Sequence, residues 1–282
     1  MLSRFLYNIK FYFIKIIFID KYILKRIRNN DPGIIKIKNF YFVDIPKVGS
    51  SSIKYLAAKE SKRFKLLKKV FNNVPIHPSV IPVQKLEINN YNNKIFLFIK
   101  SPDERLYSVF KEKVLFNKFL FSFSLLKYGK LKSFKNNFEF RYKFNKDNNF
   151  LDFCKGIIKL DNYLKSKNLD KEFFDKHLIS QYDHIINLKE IYPNIFDFEI
   201  IIYPISKMDK ILKDFTSKKK GLNLNTSKKI NYDFKNDIKK SNIINEIYKK
   251  DENLYNKLMS SKNGFLEMSY GSFLKEANFT NS

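Results

Sequence analysis

Two short stretches of the chain carry the residue types needed to hold anions. In the first, residues 40–54 (FYFVDIPKVGSSSIK), Lys47 is followed by Gly49 and by three consecutive serines, Ser50, Ser51 and Ser52. Glycine permits close backbone approach, serine hydroxyls and turn amides donate hydrogen bonds, and a helix N-terminus favours negative charge. Together they describe a cradle for a phosphate-like group with an ammonium at its mouth. In the second, residues 100–113 (KSPDERLYSVFKEK), Lys100, Arg105 and Ser108 stand close together. Arg105 and Ser108 are three apart, which on a helix makes them neighbours on one face and able to serve one ligand. Acid–base work falls to the histidines His77, His177 and His184, because imidazole titrates nearest to neutral pH.

The elements that must position these groups follow from composition. Phe40, Tyr41, Phe42 and Val43 are aromatic or β-branched and predict a buried strand that Pro46 cannot continue; residues 53–59 are helix-compatible. A second apolar run, IFLFI at 95–99, leads into Ser101 and Pro102, an N-cap and first-turn proline, with Asp103 and Glu104 favourable at the helix start. FEIIIY at 198–203 is a third strand and residues 208–215 a helix after it, so strand and helix alternate, as in an α/β protein with a central parallel sheet. Asn29 to Gly33 (NNDPG) reads as a turn into the first strand, and 151–165 as a helix. The Phe- and Lys-rich residues 116–150 read as helices joined by polar loops, an insertion rather than a separate domain. At 282 residues, one large domain is the simplest organisation.

Charge and cysteine content bound the function. Lys and Arg total 54 against 28 Asp and Glu, a net +26, which attracts nucleic acid, anionic lipid or a polyanionic substrate; an A/T-rich genome, over-encoding lysine, explains the same excess. Cys154 is the only cysteine, so an internal disulfide or multi-cysteine metal site is impossible, an oxidising compartment is not required, and a packing role is expected. Residues 2–28 are apolar but broken by Lys10, Lys15, Lys21, Lys25 and Arg26, too interrupted to span a bilayer. Their spacing predicts a basic amphipathic helix suited either to an anionic membrane surface or to packing on the core.

The first stretch resembles the 5′-phosphosulfate loop of Golgi-type carbohydrate sulfotransferases, which use 3′-phosphoadenosine 5′-phosphosulfate (PAPS). Lys47 precedes the turn, unlike the lysine of the standard nucleotide-triphosphate loop. The second stretch resembles the same family's 3′-phosphate motif, basic-x-Pro-x-x-Arg-Leu-x-Ser-x-aromatic-x-x-Lys. The resemblance implies that Lys47, Gly49, Ser50, Ser51 and Ser52 hold the 5′-phosphosulfate, that Lys100 and Ser108 hold the 3′-phosphate, and that Lys47 stabilises the leaving oxygen. Lys100 stands where the family usually has arginine, which keeps the charge but loses bidentate geometry. Residues 175–181 (DKHLISQ) are similar to the family's His-x-x-x-Gln segment, with Leu178 in place of the usual aromatic. Residues 223–227 (NLNTS) resemble a late Asn-x-Ser element, and 244–255 a terminal helix carrying a tyrosine and an aspartate three residues apart. The likeness covers roughly residues 40–255.

It implies a P-loop-like three-layer α/β/α fold with a central parallel sheet and helical insertions: a single sulfotransferase domain over 34–258, preceded by the helix of 1–30 and followed by a tail over 259–282. The donor is PAPS with no metal, and the acceptor a carbohydrate hydroxyl of a surface polysaccharide or glycolipid. His77, between the two motifs where related glycosaminoglycan sulfotransferases carry a catalytic histidine, is the first choice of base; His177 is second and His184 structural or at the surface. Arg105 is open between a ligand role and an ion pair, for example with Asp44. The expected location is the cytoplasm, peripheral at the membrane through residues 1–28. Specific nucleic-acid binding is not expected, since no recognition motif stands out from the diffuse charge. A basic nucleic-acid- or polyanion-binding protein without catalysis and a nucleotide-dependent kinase-like enzyme are the alternatives; the second lacks a Ser/Thr after Gly-Lys and a strand-end aspartate downstream.

Overall fold

The computed structural model describes residues 33–60, 93–115, 123–124, 143–144, 149–168, 174–216 and 234–279. Five strands form one mixed sheet: β1 (Gly33–Ile37), β2 (Phe40–Asp44), β3 (Lys94–Ile99), β6 (Glu199–Pro204) and β7 (Leu266–Ser269), in the order β1-β2-β3-β6-β7. The three central strands are parallel, as the alternation of strand and helix predicts, with Tyr41 opposite Ile95 and Phe96 opposite Ile201. The two edges depart from an all-parallel sheet. β1 returns to β2 through two residues, Lys38 and Asn39, which only an antiparallel pair allows, and β7 pairs antiparallel with β6. Residues 259–282, expected as a tail, thus contain a sheet strand and the helix α8 (Tyr270–Phe279), whose Tyr270 is fully buried.

Period-two alternation sends strand side chains to two faces, and helices cover both. On one face Tyr41, Val43, Ile95, Leu97, Ile200 and Ile202 pack against α4 (Gln181–Ile186), α7 (Lys249–Met259) and α8. On the other, Phe42, Phe96, Phe98 and Ile201 pack against α1 (Ser50–Glu60) and α5 (Met208–Thr216). Each such aromatic or aliphatic side chain contributes about 1.5–3 kcal/mol by leaving water. A third cluster joins α2 (Pro102–Phe110), α3 (Phe150–Ser166) and α6 (Phe234–Ser241) and encloses Cys154, the packing role expected of it. Within 116–150, expected as helices and loops, two short strands pair antiparallel, β4 (Phe123–Ser124) and β5 (Lys143–Phe144), before α3 begins at Phe150. The basic segment of residues 1–30 lies outside the described residues. Among the described residues, no helix is long and apolar enough to cross a membrane.

Candidate anion-binding site

β2 ends at Asp44, and the chain turns through Pro46, Lys47 and Val48 before α1 starts at Ser50. Two residues of this turn are left-handed, Lys47 (φ 71) and Gly49 (φ 83). For Lys47 this backbone costs roughly 1–2 kcal/mol, a strain that persists where surrounding contacts enforce it. Gly49 is needed twice over: its φ suits glycine, and a Cβ there would collide with Met208 Sδ and lie 3.2 Å from Ile205 Cδ1. The Gly49 carbonyl accepts from the Ser52 and Ile53 amides at 2.9 and 3.2 Å, so the serines form the first helical turn and the helix starts three residues before the helix-compatible run at 53–59. Lys54 folds back to Asp44, Nζ to Oδ2 2.6 Å. Burial alone would raise the Asp44 carboxyl, but the Lys54 ammonium holds it below the usual range.

The second grip forms at the tip of β3, the strand next to β2. Lys100 Nζ donates to Ser108 Oγ at 3.2 Å, so the two residues expected to share a phosphate meet. Ser108 Oγ also donates to the Glu104 carbonyl at 2.7 Å, and the Glu104 carboxylate lies 3.6 Å from Lys100 Nζ. Pro102 is the first helical residue as expected, but Ser101 makes no side-chain cap bond.

Arg105 is not paired with Asp44. It is 2 % exposed and spans the two grips from inside: Nε donates to the Pro46 carbonyl at 3.1 Å and an Nη donates to the Ile179 carbonyl at 2.9 Å. Asp44 is paired with Lys54 instead. The segment reached through Ile179 carries the His-x-x-x-Gln residues. His177 Nδ1 lies 2.5 Å from Asp175 Oδ1, while burial, opposed by Asp175, takes the imidazole down to about 4. Gln181 clamps the backbone of Lys100, and its own amide and that of Tyr182 donate to Asp251 at 2.9 and 2.8 Å. Tyr248, three residues before Asp251, donates its hydroxyl to the Leu178 carbonyl at 2.8 Å. His184 is buried, its Nε2 3.0 Å from the Lys176 carbonyl, which gives the structural role expected of it.

Electrostatically the site is dominated by cations. Lys47 is 11 % exposed and paired with Glu112; burial, then the Lys113 and Arg105 charges, pull its ammonium from the ordinary 10.5 to about 7, while the Asp175 carboxylate draws the other way. Burial lowers Lys113 and Lys176 as well, and Lys176 is further pushed down by Lys54. Lys113 and Lys176 both act on His177 and Asp175. Buried ammonium groups in such number hold their protons most readily when an anion arrives to offset them. Ser50, Ser51, Ser52, Gly49, Lys47, Lys100 and Ser108 therefore gather at two neighbouring strand tips; His77 and residues 223–227 lie outside the described residues. Sequence reasoning assigned no role to Glu112, Lys113 or Lys176. For Lys113 the motif itself was the signal; for the other two only the folded chain provides one.

Comparison with protein-family models, with curated proteins and with solved structures finds no match. The molecule is an α/β protein with a mixed five-stranded sheet, parallel at its centre.

Proposed function

We propose that this protein is a PAPS-dependent sulfotransferase with a P-loop-like fold, acting on a carbohydrate hydroxyl. The observation that carries the reading is the tie between the grips: Lys100 and Ser108 meet at the tip of β3, and Arg105 of the same helix bonds the Pro46 carbonyl beside Lys47 at the tip of β2. Adjacent parallel strands run about 4.8 Å apart, so the strand tips that carry the two grips are neighbours. A nucleotide with a phosphate-like group at each of its 3′ and 5′ ends suits two such grips, whereas a nucleotide phosphorylated only at 5′ leaves Lys100 and Ser108 unused.

The nucleotide supplies an activated sulfuryl group. Lys47, with the amides of Ser50 and Ser51 and the serine hydroxyls, neutralises charge growing on the leaving phosphate oxygen, donors fixed in place before the reaction. Lys100 and Ser108 anchor the far phosphate, which holds the reacting centre in line. A histidine takes the acceptor proton; among the described residues His177, oriented by Asp175, is the one at this site, and His77 is its rival. The enzyme works in the cytoplasm, with residues 1–28 resting on anionic membrane. Removing residues 1–30 then releases the protein from membrane fractions, and unchanged sedimentation defeats that part of the reading.

A thermal-shift titration with 3′-phosphoadenosine 5′-phosphate (PAP), adenosine 5′-phosphate and ATP tests the function. Saturable stabilisation by PAP well above that by the other two is expected. Equal response to all three, or a response only to polyanions such as heparin or nucleic acid, points to the non-catalytic polyanion binder instead.

A further inference from the structure

The carboxylate closest to Lys47 comes from the chain itself. Glu112 lies in a π-helical turn, Lys111–Leu115, that prolongs α2; turns of this kind recur at functional sites. Its Oε2 is paired with Lys47 Nζ and its Oε1 lies 3.3 Å from Lys113 Nζ, so one carboxylate bridges two ammonium groups. The cations belong to the protein wall, their side chains 11 % and 27 % exposed, while Glu112 at 57 % reaches in from the solvent side. A carboxylate set between two lysines offers them two oxygens of one anionic group, as a phosphoryl or sulfuryl group would.

We propose that Lys47 and Lys113 form one anion subsite, that the sulfuryl or adjoining phosphate group of the donor nucleotide occupies it, and that the Glu112 carboxylate is its resident counter-ion, displaced on binding. The identity of the ligand rests on the sulfotransferase reading; the subsite and its latch do not. Glu112 occupies the subsite while it is empty, and it competes with the incoming anion. The apparent affinity of an incoming ligand is its intrinsic affinity multiplied by the fraction of molecules whose latch is open. Once displaced, the half-exposed carboxylate returns to water at little cost.

The test is isothermal titration of the full chain with pyrophosphate and, separately, with PAP at low ionic strength. Glu112→Gln keeps the size of an exposed side chain and is expected to bind both ligands about 1.5- to 5-fold tighter than the parent, the range set by a partly exposed ion pair. Lys113→Met weakens both ligands and, combined with Glu112→Gln, abolishes the gain. Glu267→Gln, which removes a carboxylate paired with Lys94 far along the sheet edge, leaves both affinities unchanged. The latch is overturned if Glu112→Gln binds no tighter, if Glu267→Gln gives an equal gain, or if Lys113→Met has no effect. Tighter pyrophosphate with no PAP binding in any variant upholds the subsite and removes the nucleotide reading. PAP binding that ignores Glu112→Gln does the reverse, and no binding of either anion removes both.

Discussion

The Gln181 carboxamide closes on the backbone of Lys100 from both sides, accepting from its N–H at 2.9 Å and donating to its carbonyl at 2.7 Å. Gln181 is itself placed by Asp251, which accepts from its amide at 2.9 Å, so the tip of β3 is set by a residue of α7. Gln181→Ala removes both bonds at a buried strand end and is expected to cost about 2 kcal/mol in a urea titration, roughly 1 for each bond. Gln181→Glu keeps an acceptor for the Lys100 amide but loses the donor to its carbonyl. With its carboxylate buried beside that of Asp251 it should cost at least as much as the alanine, and a glutamate as stable as the parent would show that neither the lost donor nor the added charge matters.

Arg105 is the internal strut between the grips, and its replacement strands two carbonyls, those of Pro46 and Ile179. Arg105→Met, which keeps the stem and loses the guanidinium, is expected to destabilise by about 2–5 kcal/mol, since buried acceptors lose their partners and Asp251 loses a neighbouring charge. Arg105→Lys cannot reproduce the fork and should recover only part of this. PAP affinity, followed by calorimetry at a temperature where the variant remains folded, should fall with it.

Lys100 and Ser108 define the 3′ end of the nucleotide under the proposed function. Ser108→Ala is therefore expected to reduce the preference for PAP over adenosine 5′-phosphate about tenfold while leaving binding of the latter alone, as suits the loss of a hydrogen bond to a charged group. Lys100→Ala should go further in the same direction. A variant that loses both ligands equally would place Ser108 in general folding instead.

Lys47 links stability to pH with a definite sign. Its ammonium is lowered in the folded chain to about 7, so between pH 7 and 10.5 the unfolded chain holds a proton that the folded chain has released, and stability rises with pH across that window. Below pH 7 both states are protonated and the cost of the buried charge is borne in full. Lys47→Met should raise the melting temperature, most at pH 6 and progressively less towards pH 10, and it should abolish PAP binding at every pH. In the parent, PAP affinity should decline above pH 7, because the anion needs the ammonium.

His177 and His184 act in the acid range. Burial lowers both, to about 4 and about 3 against an ordinary 6.5, so as pH falls below 6.5 the unfolded chain takes up protons that the folded chain refuses. Stability present at neutral pH is lost from pH 6.5 downward. Denaturant midpoints measured from pH 7 to 4 should drop steadily, and His184→Gln should flatten the slope; a parent whose midpoint is constant over that span would mean that neither imidazole is held neutral.

The strands and helices that carry the site were legible because their signals are local. An apolar β-rich run stopped by Pro46, a second ending before Pro102, and a third at Glu199–Pro204 each sit within a few residues of their own punctuation. The edge strands were less legible. β1 differs from a parallel strand only by a two-residue return, and β7 is half exposed, with alternation too short to stand out in a polar region.

The chain's order of residues thus determined which side chains are available at each strand tip: Lys47 with its serines at one, Lys100 with Ser108 at the other. Which charges face them was decided by tertiary structure. Arg105 meets Pro46 across 59 positions, Glu112 meets Lys47 across 65, and Gln181 meets Lys100 across 81. Helical and strand periods relate neighbours a few residues apart, whereas these meetings depend on the parallel register of β2 and β3 and on how α2 packs beside them.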